Sequence, residues 1–142
     1  MAFVIKNPPE FTMDIEQWNR ETLADGVEMS KVPEALLNNE VYLKDEIERQ
    51  EHVTEITLTA AGWTGDQAPY VQTVSVSGAT EDMEPILVSA LEDGAATDIQ
   101  KAYVKAFGII SSGTAVLGDG TATFKVYKKP TADVVVGLRG VM

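Results

Sequence analysis

The side chains best suited to acid–base chemistry are the single histidine, His52, and two acidic clusters. A catalytic histidine needs a nucleophile or carboxylate partner, and no serine lies in a G-x-S-x-G frame. Glycoside hydrolysis needs two opposed carboxylates, and a calcium loop needs alternating oxygen ligands that end in Glu. Neither cluster meets these requirements; the clusters are Glu81, Asp82 and Glu84, and Glu92 and Asp93. We therefore expect solvated positions, no enzyme activity, and neither metal nor cofactor.

Three aromatic residues could form a ligand-binding face, namely Trp63, Tyr70 and Tyr127. Trp63 lies in a loop between Gly62 and Gly65, where its ring could be exposed and could stack on a sugar. Tryptophan and tyrosine also suit surfaces that are half apolar and half polar, which favours burial at a subunit interface. Both interpretations of Trp63 and Tyr70 stay open, as ligand-binding or as interface aromatics.

The overall composition excludes several classes of function. The chain has 142 residues, 44% hydrophobic, with a formal net charge of −11 and no cysteine. Such a charge repels phosphate backbones and anionic lipids, so we expect neither nucleic-acid nor membrane binding. Lys125, Lys128 and Lys129 form a basic patch too small for nucleic acid, and protection of an edge strand is its simpler role. The N-terminus has no long apolar region typical of a signal peptide.

Residues 1–29 have the composition of an extended arm. A short strand is possible over residues 2–5, but Pro8 and Pro9 then prevent both strand pairing and helix formation. Trp18 is the largest apolar side chain in this segment. We expect it to anchor the arm on another chain or another protein, or alternatively to pack on its own head domain.

Residues 30–52 predict a helical stem. Ser30 is a good N-cap, and Pro33 falls in the first turn, where a missing N–H costs nothing. Leu36, Leu43 and Ile47 recur at spacings of seven and four, as in a coiled coil. The narrow apolar stripe favours a parallel bundle between subunits, and the alternative is a helix packed on its own domain.

Residues 53–142 predict a compact head that contains alternating strands and one amphipathic helix. Strands are expected near residues 55–60, 70–77, 85–91 and 134–138, with a hairpin around Asp119-Gly120. Thr97 is the expected cap of a helix whose apolar face runs from Ile99 to Ile110. Mixed periodicities with neighbouring hairpin-like strands predict an α+β fold with a mainly antiparallel sheet.

One ordered set of motifs resembles a module of phage and prophage fibre and appendage proteins. The motifs are LTAAGWTGDQAPYVQTVSVSG at residues 58–78, MEPILVSAL at 83–91, KAYVKAFGIISSGT at 101–114, and TFKVYKKPTADVVVGLRGV at 123–141. The similarity covers roughly residues 53–142. Residues 24–48 are also similar to stems that precede such heads.

The resemblance implies a non-enzymatic structural protein of the virion that forms a homotrimer. In this interpretation residues 1–29 attach to other virion proteins, residues 30–52 trimerise through Leu36, Leu43 and Ile47, and the head points outward. A head fibre or a small tail or baseplate appendage fits a chain of this length. The alternative is a receptor-binding module that recognises a host-surface glycan through Trp63 and Tyr70.

Overall fold

The computed structural model describes residues 2–22 and 25–142. The chain divides into two compact units, residues 1–48 and 49–142. The described elements, in chain order, are α1 (Gly26–Glu51), β1 (Val53–Leu58), a short 3-10 turn (Ala60–Gly62), β2 (Tyr70–Ser75), β3 (Ile86–Ser89), α2 (Thr97–Ser111), β4 (Thr114–Gly118), β5 (Thr121–Val126) and β6 (Val134–Arg139). Every strand pair is antiparallel, which confirms the predicted α+β class.

Helix α1 begins at Gly26, one turn before the predicted start at Ser30. The Asp25 carboxylate accepts hydrogen bonds from the backbone N–H groups of Val27 and Glu28, both at 2.9 Å. Aspartate caps a helix as well as serine does, so the earlier residue takes this role and the prediction for Ser30 was wrong. Pro33 therefore lies inside the helix rather than at its first turn.

The N-terminal segment, residues 2–22, contains neither helix nor strand. The strand predicted for residues 2–5 is not formed. Within residues 2–22 and 25–142, no helix is both long and apolar enough to cross a bilayer.

The first sheet of residues 49–142 has the strand order β1-β6-β3, so the last strand of the chain lies in the centre. Gly137 of β6 pairs with Glu55 on one side and Val88 on the other. A Cβ atom at Gly137 would lie 2.6 Å from both Val53 Cγ1 and Val88 Cγ2. The glycine therefore allows two stiff valine side chains to close over the central strand.

The second sheet has the order β2-β5-β4, with β5 in the centre. Strands β4 and β5 form the predicted hairpin, and Gly120 adopts a φ of 69° in its turn. This left-handed conformation is the one that glycine adopts without steric cost.

Helix α2 begins at Thr97, and the residue that precedes it, Ala96, provides no side-chain cap. The predicted cap at Thr97 was therefore wrong by one position. Ala106 and Ile110 are buried as predicted, whereas Ile99 is exposed. The second half of α2 packs its apolar face against the core of this unit. Both sheets contribute to the same core, which includes Leu58, Phe124, Val126, Val136 and Leu138, and so do residues between the strands such as Trp63 and Val76.

Candidate functional site

The predicted trimerisation residues lie on one exposed stripe of helix α1. Leu36 is 51% exposed, Leu43 50% and Ile47 59%, and Met29 continues the stripe seven residues before Leu36. At about 100° per residue, these four positions fall within roughly 20° of Leu36 around the helix axis. The structure thus brings the three predicted residues together with their apolar surface open, while trimer formation itself stays a prediction.

Two asparagine side chains of α1 hold the N-terminal segment, and we call them the amide pair: Asn38 and Asn39. Asn38 lies about 160° from Leu36 around the helix axis, whereas Asn39 lies about 60° from Leu36, next to the stripe. The Asn38 side chain accepts from the Lys6 backbone N–H at 2.7 Å and donates to the Val4 carbonyl at 3.0 Å. Asn39 accepts from the Thr12 N–H at 2.7 Å and donates to the carbonyl of the same residue at 2.8 Å. A carboxamide has an N–H donor and a C=O acceptor, like a peptide group. Each asparagine therefore satisfies one backbone N–H and one backbone carbonyl of the segment, as a neighbouring strand would.

Burial of Asn38 makes this contact specific. Its side chain is buried, and its second amide hydrogen bond goes to the Glu34 carbonyl within the helix. A buried amide without partners would be destabilising, so the segment backbone satisfies groups that the helix alone cannot. The Phe11 and Tyr42 rings, 5.6 Å apart, add an aromatic contact next to the amide pair.

Trp18 lies within the N-terminal segment and is 47% exposed. Part of its ring therefore remains open to a partner. Its role as the anchor of an attachment segment stays a prediction.

Trp63 is not on the surface, where both a sugar-binding face and a subunit interface would need it. It is 5% exposed and belongs to the core of residues 49–142, so its ring is neither open to a sugar nor available at a subunit interface. The reason is a fold-back in the loop, where Thr64 and Val71 exchange two backbone hydrogen bonds, at 2.8 and 3.0 Å. Since neighbouring residues in an extended segment point to opposite sides, Thr64 faces solvent and Trp63 faces inward.

Two buried polar atoms near this loop make no hydrogen bond with the protein, the indole Nε1 of Trp63 and the Oε1 of Gln72. Gln72 uses its other side-chain atom to donate to Thr59 Oγ1, at 3.1 Å. A Cβ atom on Gly62 would collide with the Gln72 amide, so the glycine is needed for this close approach. Tyr70 is partly buried, and the Lys129 ammonium lies 4.8 Å from its ring centroid. The predicted aromatic face is therefore not formed, and Trp63 is a core residue.

The acid–base candidates do not form a shared site. His52, Glu81, Asp82 and Glu84 are all exposed. The Thr80 hydroxyl donates to Asp82 and is the main cause of a lowered Asp82 pKa, with the backbone N–H of Asp82 contributing further. In the described part of the chain, no group of three or more His, Asp or Glu residues could hold a metal ion.

Two kinds of cleft open on residues 49–142. A cleft of about 480 Å³ lies beside the edge strands β3 and β4, and its lining combines apolar residues such as Met83 and Leu87 with the acidic residues Glu81 and Glu84. Two further clefts, of about 710 and 360 Å³, share Lys105, Ile109 and Lys128 and run beside α2. Sequence reasoning missed the second kind because its lysines come from distant parts of the chain.

Comparison with protein-family models, with curated proteins and with solved structures finds no significant match. The similarity to phage appendage proteins therefore rests on the sequence motifs alone.

Proposed function

We propose that this chain is a non-enzymatic structural protein of a phage virion, a homotrimeric fibre or small appendage. Helix α1 is the stem of a parallel three-helix bundle, and the N-terminal segment is the arm that attaches the trimer to other virion proteins. The observation that carries this proposal is the exposed stripe of Leu36, Leu43 and Ile47, which keeps heptad spacing along α1 and stays open although the N-terminal segment is held next to it by Asn39.

The position of the amide pair supports an association of stems. A lone amphipathic helix could cover its apolar stripe with the nearest segment of its own chain. Here the N-terminal segment is instead held by Asn38 and Asn39 and leaves Leu36, Leu43 and Ile47 exposed. A second and third copy of the same helix offer the matching stripe, since a symmetric bundle brings identical residues together.

The magnitude of this burial predicts how strong the stem is. Burying the exposed half of one Leu or Ile side chain contributes about 1 kcal/mol. Three residues in three chains then contribute roughly 9 kcal/mol, whereas each of the two association steps that form a trimer costs about 4–15 kcal/mol. Glu40 lies at the heptad position between Leu36 and Leu43, where three carboxylates would repel one another. The stem is therefore marginal by itself, and faces of the head must add to the trimer contact.

Exposed apolar side chains on the N-terminal segment support its role as the attaching arm. Phe3, Met13 and Trp18 all retain large exposed surfaces although the backbone between them is held at two points. Such side chains are the kind that become anchors in a partner's pockets.

The test is solution mass by light scattering coupled to size exclusion. The wild-type chain should give about 46 kDa, three times the 15.4 kDa of one chain. Leu43→Asp should shift the mass to one chain, whereas Lys44→Asp, about 100° further round the helix, should stay trimeric. Glu40→Leu should tighten the trimer, so that it persists at lower concentration. A monomeric wild type would reject the proposal, and a trimeric Leu43→Asp would reject the stem as its site.

A further inference from the structure

A basic groove runs between helix α2 and the segment that joins β5 to β6. Its walls carry Lys101 and Lys105 from the helix and Lys128 and Lys129 from the segment, and we call these four residues with the two connected clefts between them the lysine groove. Its lining also includes small and apolar side chains, Ala102, Ala106, Ile109 and Ala132. The clefts have volumes of about 710 and 360 Å³.

The charge of the groove is opposite to that of the whole chain. Residues 49–142 contain seven Lys and Arg residues, and four of them line this one groove. Asp98 is the one acidic residue in the lining of its larger cleft. On a chain with a net charge of −11, four neighbouring lysines produce a local positive electrostatic potential on a surface that is otherwise mostly negative.

Within the described residues, the four lysines form no ion pair with a carboxylate. Lys101 and Lys105 are four residues apart on one helix, a spacing at which like charges repel by about 0.2–0.5 kcal/mol. Lys128 adds a like charge on the facing wall, and the ammonium of neighbouring Lys129 lies 4.8 Å from the centroid of the Tyr70 ring. A bound anion would relieve this repulsion, so the groove is better suited to an anionic ligand than to being empty.

The hydrogen-bond pairing of the neighbouring strands disfavours an extended peptide as the ligand. The joining segment connects β5 and β6, and each is the central strand of its sheet. Their backbone groups are paired on both sides, so a peptide finds no free edge to extend. The net charge of the chain also disfavours a long polyanion such as nucleic acid.

The side chains of the smaller cleft suit a carbohydrate. Tyr127 lines it with an exposed ring, and Ser112 lies on the same lining. The Ser112 hydroxyl donates to the Gly108 carbonyl at 2.6 Å, which leaves its oxygen free to accept a hydrogen bond from a sugar hydroxyl. An aromatic ring offers an apolar face to a sugar, and lysine ammonium groups offer point charges to carboxylates or phosphates.

We propose that the lysine groove binds a short anionic carbohydrate, whose charge is carried by carboxylate or phosphate groups. This ligand site goes beyond the trimeric structural role and does not depend on it. It also replaces the aromatic face of Trp63 and Tyr70, since Trp63 is buried in the core.

The test is a calorimetric titration of the full chain with four ligands of similar length. They are a uronic-acid oligosaccharide, a phosphate-bearing oligosaccharide, a neutral oligosaccharide and an oligoglutamate peptide. We expect at least one of the two anionic oligosaccharides to bind at least tenfold more tightly than both the neutral one and the peptide, with affinity that falls as salt is added. Comparison of the two anionic oligosaccharides shows whether the groove binds carboxylate or phosphate groups.

Variants locate the site. Lys105→Gln with Lys128→Gln should weaken binding at least tenfold, since the pair spans both clefts. Lys125→Gln, which neutralises an exposed lysine on β5 outside the groove, should change affinity less than twofold. Tyr127→Ala should weaken oligosaccharide binding several-fold.

Three results would overturn the proposal. These are no binding of either anionic oligosaccharide at millimolar concentration, equal binding in the double lysine variant, and binding of oligoglutamate as tight as that of the oligosaccharides. The last result would assign the groove to an acidic protein partner. None of them affects the solution mass, so failure here is distinguishable from failure of the trimer proposal.

Discussion

Replacing Trp63 by alanine tests whether the loop between β1 and β2 belongs to the core or to a binding face. The side chain is 5% exposed and packs within the core of residues 49–142. Removal of a buried Trp typically costs about 3–5 kcal/mol, because transfer energy is lost and a cavity remains. We therefore expect Trp63→Ala to lower the free energy of unfolding by about 4 kcal/mol.

The expected shift in melting temperature follows from the size of the unit. For 94 residues the entropy of unfolding is about 0.2 kcal/mol/K, so a loss of about 4 kcal/mol lowers Tm by roughly 20 °C. Calorimetry compares wild type and variant at the same protein concentration, so that a difference in concentration does not contribute to the shift. Tyr127→Ala is the matched control, since that ring is 63% exposed and its removal should cost less than about 0.5 kcal/mol.

A third variant distinguishes the contribution of the apolar ring of Trp63 to stability from that of its Nε1–H group. Trp63→Phe removes the Nε1 donor that has no partner in the protein, which offsets part of the lost apolar area. We expect its Tm to lie much nearer to wild type than that of Trp63→Ala. A Tm for Trp63→Ala within about 3 °C of wild type would refute the core assignment and reopen the glycan interpretation of Trp63.

Three other predictions concern local contacts. Asn38→Ala removes two hydrogen bonds to the N-terminal segment, so amide hydrogen exchange at Lys6 should accelerate about ten- to a hundredfold; unchanged exchange would contradict the contact. Gly137→Ala should lower the free energy of unfolding of residues 49–142 by about 1–3 kcal/mol, measured with denaturant. An unchanged free energy would mean that the Val53 and Val88 side chains can move aside for the added methyl group. Thr80→Val should raise the pKa of Asp82 toward its ordinary value in a carboxyl NMR titration, because the main hydrogen bond that lowers it is lost; an unchanged midpoint would disprove that cause. In wild type, the stabilisation from ionised Asp82 is present above the ordinary carboxyl pKa and disappears as pH falls through the lowered value.

Local patterns predicted most elements of the head. Alternation of apolar and polar residues located β1 and β2, the Asp119-Gly120 turn located the hairpin, and 3.6-residue spacing located α2. These features depend on neighbours within a few residues, which a single sequence displays directly. The heptad spacing of Leu36, Leu43 and Ile47 likewise matched an exposed stripe, because helix geometry alone sets which residues share a side.

Features that depend on distant parts of the chain were not predictable in this way. The position of β6 between β1 and β3 requires pairing across about 80 residues with β1 and about 50 residues with β3, and nothing in its local pattern selects those partners. The inward turn of Trp63 depends on the backbone exchange between Thr64 and Val71, since flanking glycines permit either direction. The lysine groove joins residues from α2 and from the segment after β5 for the same reason.

The amide pair has a consequence for how the N-terminal segment can vary. Asn38 and Asn39 bind only backbone atoms of Val4, Lys6 and Thr12. The one chemical demand at residues 6 and 12 is a free N–H, and the two prolines lie between these positions, where none is needed. These four hydrogen bonds place no demand on the side chains of the segment, and the ring of Phe11 is the side chain that packs against an aromatic residue of the helix, Tyr42. One stem can therefore carry segments that differ in sequence away from Phe11, and natural variation there can change the attachment partner without redesign of the stem.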